Sequence, residues 1–158
     1  MRKQDLIDRV IARLTADLAQ LTTAALATHA EATDEENKAE DKYDTRGLEA
    51  SYLAHGQSKA AEEAALALAQ FQALPVRDFA AGEPISLGAA VVLEGTGRSL
   101  YFIGPRAGGT EVSCDGETVL VITPQSPLGR QLMGRRQGDT LQLDLGGRRS
   151  DFRVTSVV

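Results

Sequence analysis

The chain has 158 residues, 42% of them hydrophobic, only 4% aromatic and none Trp, with a net charge of −5 and a pI near 5.1. That length allows one ordinary domain or two small ones, and the aliphatic bias suits a slender helical seam better than a broad aromatic core. The negative balance argues against attachment to nucleic acid by long-range attraction, and the single Cys114 excludes an intrachain disulfide, as expected of a protein in a reducing cytosol.

Composition changes sharply at Pro75. Residues 1–74 hold no Pro and two Gly, with many Ala, Leu, Glu and Gln; residues 75–158 hold all five Pro and the other thirteen Gly. Helix formers thus give way to turn and strand formers, which predicts a helical domain over 1–75 and a β-rich domain over 76–158. The first residues, MRKQDLIDRVIARL, are broken by charge every few positions, and no stretch approaches the ~18 apolar residues of a membrane span. A soluble, cytoplasmic protein is the expectation.

Leu6, Ile7, Val10, Ile11, Leu14, Leu18, Leu21, Ala25 and Ala32 recur every three or four residues, with Thr28 the one polar interruption, and predict a long first helix. Leu48, Tyr52, Leu53, Ala60, Ala64, Ala65, Leu68, Phe71 and Leu74 predict a second. Neither stripe can stay exposed, so the two are expected to pack antiparallel as a coiled-coil hairpin, a seam that favours a monomer. Between them, residues 31–47 carry seven carboxylates against three basic groups. Thr33 and Glu36 have capping-box spacing, and Asp44 or Thr45 could cap the returning helix, which places the tip within about 33–47.

The second half reads as strands at Ala89–Glu94, Ser99–Ile103, Glu111–Cys114, Thr118–Thr123, Thr140–Leu145 and Asp151–Val157. Asp115-Gly116 and Gly146-Gly147 are tight-turn pairs. Ser126 as N-cap, Pro127 at the first helical position and Gly134 as terminator predict one short helix. Enzyme signatures are missing: no phosphate loop, no paired Cys and no HExxH, with His29 and His55 the only imidazoles. The acidic tip carries the sharpest chemistry, because carboxylates on a turn are hard oxygen ligands for magnesium. A solvated charged turn is the bland alternative.

Residues 126–140, Ser-Pro-Leu-Gly-Arg-Gln-Leu-Met-Gly-Arg-Arg-Gln-Gly-Asp-Thr, resemble the C-terminal signature of the Gre transcript-cleavage factors. That signature continues through a strand, a Gly-Gly turn and a last strand, here Gly146-Gly147 and Phe152–Val158. The Leu14, Leu18, Leu21 pattern is similar to the family's first helix. The resemblance implies an α+β protein, an antiparallel α-helical coiled-coil hairpin followed by an FKBP-like domain with one short helix. It further implies a factor that docks on RNA polymerase and sends its hairpin into the secondary channel. There the tip acids help hold a second magnesium ion near the nascent RNA 3′ end, and the polymerase itself cuts backtracked RNA.

The tip departs from the family's Gly-Asp-x-x-Glu-Asn. One register places the acids at Asp34 and Glu36; another places the motif's Asp on Asp44 and its Glu on Gly47, leaving Glu40, Asp41 and Glu49 as substitutes. Asp41 and Asp44 are the candidate tip acids acting in trans, and Asp44, Asp41, Glu40 and Glu49 the candidate magnesium ligands. Ser126, Pro127, Leu128 and Arg130 are the candidate polymerase-docking residues. Two other readings stay open: a paralogue that occupies the channel and inhibits or retunes polymerase without stimulating cleavage, and a coiled-coil interaction module unrelated to transcription. Prolyl isomerase activity is not expected, since Tyr101, Phe102 and Phe152 are the only aromatics in the predicted strands.

Overall fold

The computed structural model describes residues 1–33 and 46–158. Nine elements follow in order: α1 (Lys3–Thr33), α2 (Arg46–Gln72), β1 (Ala90–Glu94), β2 (Arg98–Ile103), β3 (Glu111–Cys114), β4 (Glu117–Ile122), α3 (Pro127–Leu132), β5 (Thr140–Leu145) and β6 (Arg148–Val157). Packing divides the chain into two compact units, Arg13–Leu68 and Met1–Ala12 with Ala69–Val158. The compositional break at Pro75 and this division differ because the roots of both helices pack with the strands that follow them in sequence.

The first unit is a helical hairpin. Leu14 and Ala25 are buried and Leu18, Leu21 and Thr28 half-buried, a spacing of four, three, four and three residues. Opposite them, Gln57, Ala61, Ala64 and Leu68 are half-buried at the same spacing and Ala67 is buried. A period of 3.5 keeps one narrow seam facing its neighbour along both helices. The groove along the seam brings Leu18, Thr22, Ala25 and His29 beside Ala65, Glu62, Ala61 and Ser58, which makes the helices antiparallel. Ala60 and Ala65, expected in the seam, are exposed, and Ala61 and Ala67 take the inward positions. In an alanine-rich helix every face looks weakly apolar, so the register is decided by the opposing helix. Leu48, Tyr52, Leu53 and Ala32 have side chains outside the described residues.

The second unit is built on a six-stranded sheet of order β3-β4-β2-β1-β6-β5. All neighbours are antiparallel except β2 and β4, which run parallel with Leu100 opposite Val119 and Ile103 opposite Ile122. Asp115 and Gly116 have φ of 52° and 80°, and Gly146 and Gly147 of 61° and 79°. Two successive positive φ values match the right-handed twist of the strands that each turn joins. A bulge between Val92 and Leu93 bends β1 against β6.

One core gathers Phe79, Ile85, Val91, Leu93, Ile103, Ile122, Leu132, Leu141, Leu143, Phe152 and Val154, with Tyr101, Leu120, Leu128 and Met133 packed against it. Alternation then sends Leu100, Phe102, Val119 and Val121 to the other side of β2 and β4. Phe71 of α2 meets Phe102 there at a ring separation of 6.2 Å, and Leu6, Ile7 and Val10 of α1 are fully buried in the same unit. An FKBP-like β domain thus carries the root of the hairpin as part of its own packing.

Among the described residues, Lys3 is the one charged side chain that is buried, 7% exposed. Its ammonium donates to the Arg77 carbonyl at 2.6 Å and lies 4.5 Å from the centre of the Phe79 ring. The Arg77 guanidinium lies 4.0 Å from the same ring and pairs with Glu83 at 2.7 Å. Desolvation lowers the Lys3 pKa, Asp78 and Glu83 oppose that, and Arg77 adds to it. The hydrogen bonds from Arg77 and from the Ala80 amide hold Glu83 below its ordinary value. No described helix is long and apolar enough to cross a membrane.

Candidate functional site

The signature segment forms the structure its residue types predict. Ser126 adopts an extended conformation at the N-cap of α3, and its hydroxyl accepts from the Gly129 amide at 3.0 Å while donating to the Thr123 carbonyl at 2.7 Å. Pro127 occupies the first turn, where a missing N–H costs nothing. Gly129 is buried, and a Cβ there would stand 1.8 Å from the Thr123 carbonyl oxygen, so only glycine lets the helix lie on that strand end. Leu132 is fully buried. After α3, Gly134 takes a φ of 80° and donates to Ile85, whose own amide donates to Arg135 at 2.7 Å. Asp139 caps the next turn by accepting from the Arg136 amide at 2.8 Å, and the Arg136 guanidinium bonds the Gly82 carbonyl.

Much of the motif therefore serves the fold. The Ser126 hydroxyl is engaged on both sides within the chain, and Leu128 is half-buried against the core rather than displayed. Facing outward are Pro127 and Arg130, the latter held by its Nε bond to the Gln125 carbonyl at 2.8 Å. Of the four candidate docking residues, these two offer free surface. Gln125 joins them; sequence reading passed over it because an isolated Gln before a cap carries no pattern.

The tip acids Asp34, Glu36, Glu40, Asp41 and Asp44, and the cap expected at Asp44 or Thr45, lie outside the described residues; Thr33 of the expected capping box ends α1, its side chain outside them. Glu49 falls within α2, its side chain outside them. Among the described residues, no three metal-ligating side chains cluster. The two imidazoles, His29 and His55, are both exposed, and His29 shares the seam groove with Ser58. That groove, about 480 Å³, also holds Leu26, 66% exposed.

The described residues thus form one unit of paired helices and one of a six-stranded sheet with a short helix, the α+β class of two-part protein that the signature segment implies. No family model matches the chain. In sequence it is similar to the transcription inhibitor protein Gfh1 of Thermus thermophilus, 32% identical over 123 residues, or 74% of this chain and 73% of that one. It is 33% identical over 123 residues to Gfh1 of Thermus aquaticus, with the same shares of each chain. Among solved structures, that of the transcription factor Gfh1 aligns over 94% of this chain and 93% of its own at 27% identity, with a TM-score of 0.41. The structure of GreA factor homolog 1 of Thermus thermophilus aligns over 94% of both chains at 22% identity, with a TM-score of 0.39. The sequence kinship shows that the chain belongs to the Gre-factor family, as a divergent paralogue related to Gfh1.

Proposed function

We propose that this chain is a cytoplasmic transcription factor that binds RNA polymerase at the secondary channel and inhibits or retunes it by occupancy, without stimulating transcript cleavage. Its kinship with proteins named transcription inhibitors, over almost three quarters of both chains, carries this reading. The departure of residues 34–49 from the family's acid motif supports it, since a tip that lacks the usual acid pair is poorly suited to deliver a metal.

Charge distribution supports it as well. Residues 13–68 hold 5 basic and 11 acidic groups, a net −6, and the other residues 12 basic and 11 acidic, a net +1. The factor therefore docks through its nearly neutral β domain, at Pro127 and Arg130, and inserts the acidic arm. The part of α1 that belongs to the hairpin unit, residues 13–33, spans about 30 Å at ~1.5 Å per residue, long enough to obstruct a narrow passage. Occupancy of this kind needs no reacting group from the chain.

The second reading is stimulated cleavage of backtracked RNA, favoured by the seven carboxylates of residues 31–47. Asp41 and Asp44, with Glu40 and Glu49, or Asp34 and Glu36 in the other register, are then the candidates to hold magnesium jointly with polymerase. Such an ion orients and activates the attacking water. The deciding experiment measures elongation and transcript cleavage in stalled, backtracked complexes, with wild type and an Asp41→Ala, Asp44→Ala double variant. Binding with slowed elongation and no added cleavage is the expected result. Cleavage stimulated by wild type and lost in the variant would establish the second reading, and absence of binding would leave a coiled-coil module unrelated to transcription.

A further inference from the structure

We propose that the free edge of β5 is a self-association surface, on which a second copy of this chain pairs its own β5 antiparallel about a two-fold axis at Gln142. Among the described residues β5 ends the sheet, with β6 on one side and no strand on the other. The Gly146-Gly147 turn sets Leu145 opposite Arg148, and in a two-residue turn of this type that pair exchanges both backbone hydrogen bonds. Hydrogen-bonded pairs recur at every second residue, so Leu143 and Leu141 also bond β6. The same phase holds beyond the strand, where Asp139 accepts from the Val154 amide at 2.9 Å. The N–H and C=O groups of Thr140, Gln142 and Asp144 therefore point away from the sheet, and among the described residues they have no partner.

Sheet edges are usually blunted by Lys, Pro, a bulge or shortness. β5 has none of these: it reads Thr-Leu-Gln-Leu-Asp-Leu over six residues and pairs with β6 without a register shift. The opposite edge differs, since β3 spans four residues and begins on the exposed Glu111.

A second copy fits the β5 edge best in one register. With Gln142 opposite the partner's Gln142, Thr140 stands opposite the partner's Asp144 and Asp144 opposite the partner's Thr140. Every outward backbone group of these residues is then used, in about six hydrogen bonds. Sliding the register along leaves some of them unpaired. The side chains agree with this pairing. Thr140, Gln142 and Asp144 are exposed on one face, where β6 sets Arg153, Asp151 and Arg149 beside them. Across the junction one row reads Arg149, Asp144, the partner's Thr140 and the partner's Arg153. The central row reads Asp151, Gln142, the partner's Gln142 and the partner's Asp151. No like charges meet at the junction, each Asp144 lies between two strands that present arginine, and the facing carboxamides can bond each other. Leu141 and Leu143 are already buried, 4% and 5% exposed, so pairing adds little apolar burial. An edge of six residues falls short of the ~1,200 Å² of a stable specific interface, so the dimer forms at high concentration rather than obligately.

The test is sedimentation velocity of the full chain from about 5 to about 500 µM, with the mass expected to rise from 16.8 kDa toward twice that value. Gln142→Pro removes only an outward N–H, which an edge strand tolerates, and should weaken association at least about tenfold with an unchanged urea midpoint. Gln142→Lys and Gln142→Glu each set like charges opposite one another on the axis and should weaken it about fivefold. An equimolar mixture of those two variants should recover wild-type association within about twofold. Ser113→Lys, on the β3 edge, should change nothing. Should Gln142→Pro fail to fold, the charge pair decides alone. Wild type that stays monomeric across the series overturns the proposal, as does a dimer indifferent to the Gln142 variants. Weakening by Gln142→Lys and Gln142→Glu without recovery on mixing overturns the two-fold pairing at Gln142.

Discussion

Replacing Lys3 tests whether a buried ammonium stabilises this domain through its charge or through its stem. Lys3→Met keeps most of the stem and removes the charge. It loses a charge-assisted hydrogen bond, worth about 1.5–3 kcal/mol, and a cation–π contact of about 0.5–2 kcal/mol. Against that, it no longer desolvates an ammonium, whose cost is visible in the lowered Lys3 pKa. The Arg77 carbonyl belongs to an exposed residue and can turn to water. The balance should be a loss of about 1 kcal/mol. Lys3→Ala also gives up three buried methylenes at about 0.8 kcal/mol each, for a total near 3 kcal/mol. The assay is urea denaturation followed by far-UV circular dichroism, with amide exchange of Phe79 and Ile85 to locate the opening. Equal losses for Met and Ala would refute the weighting given to the stem. A Met variant as stable as wild type would show that the ammonium contributes nothing net.

Three further outcomes are expected. Gly129→Ala should cost about 3 kcal/mol or prevent folding of the β domain, because the new methyl group meets backbone that cannot yield; a thermal melt within 2–4 °C of wild type, the shift expected for about 1 kcal/mol in a chain of this size, would contradict it. Phe71→Ala, at a side chain 1% exposed, should cost about 3–5 kcal/mol in the same urea assay. Glu83→Gln bears on acid stability. Glu83 is held below its ordinary value of 4.5, so its contribution is fully present above that pH and is lost as pH falls through the lowered value. The stability gap between wild type and Glu83→Gln should stay constant above pH 5 or so and close below the ordinary value; a gap that widens on acidification would reverse the sign.

Sequence by itself determined the local elements, because the forces that set them act over a few residues. The Ser126-Pro127 start and Gly134 stop bound α3, the Asp115-Gly116 and Gly146-Gly147 pairs became tight turns, and the strand at Glu111–Cys114 spans the same residues in the structure. Kinship was also legible, since the signature constrains caps and buried glycines that tolerate few substitutes.

Tertiary structure decided the rest. The parallel pairing of β2 with β4 depends on how β3 returns, which alternation along one strand does not encode. The inward face of α2 was settled by the opposing helix, since Ala60 and Ala61 differ only in direction. The packing of Leu128 against the core is likewise set by residues outside its own segment. The burial of Lys3 depends on Phe79 and on the Arg77 carbonyl, seventy-four residues away in sequence. Each of these depends on residues distant in the chain but adjacent in space, and burial and electrostatics are properties of that neighbourhood.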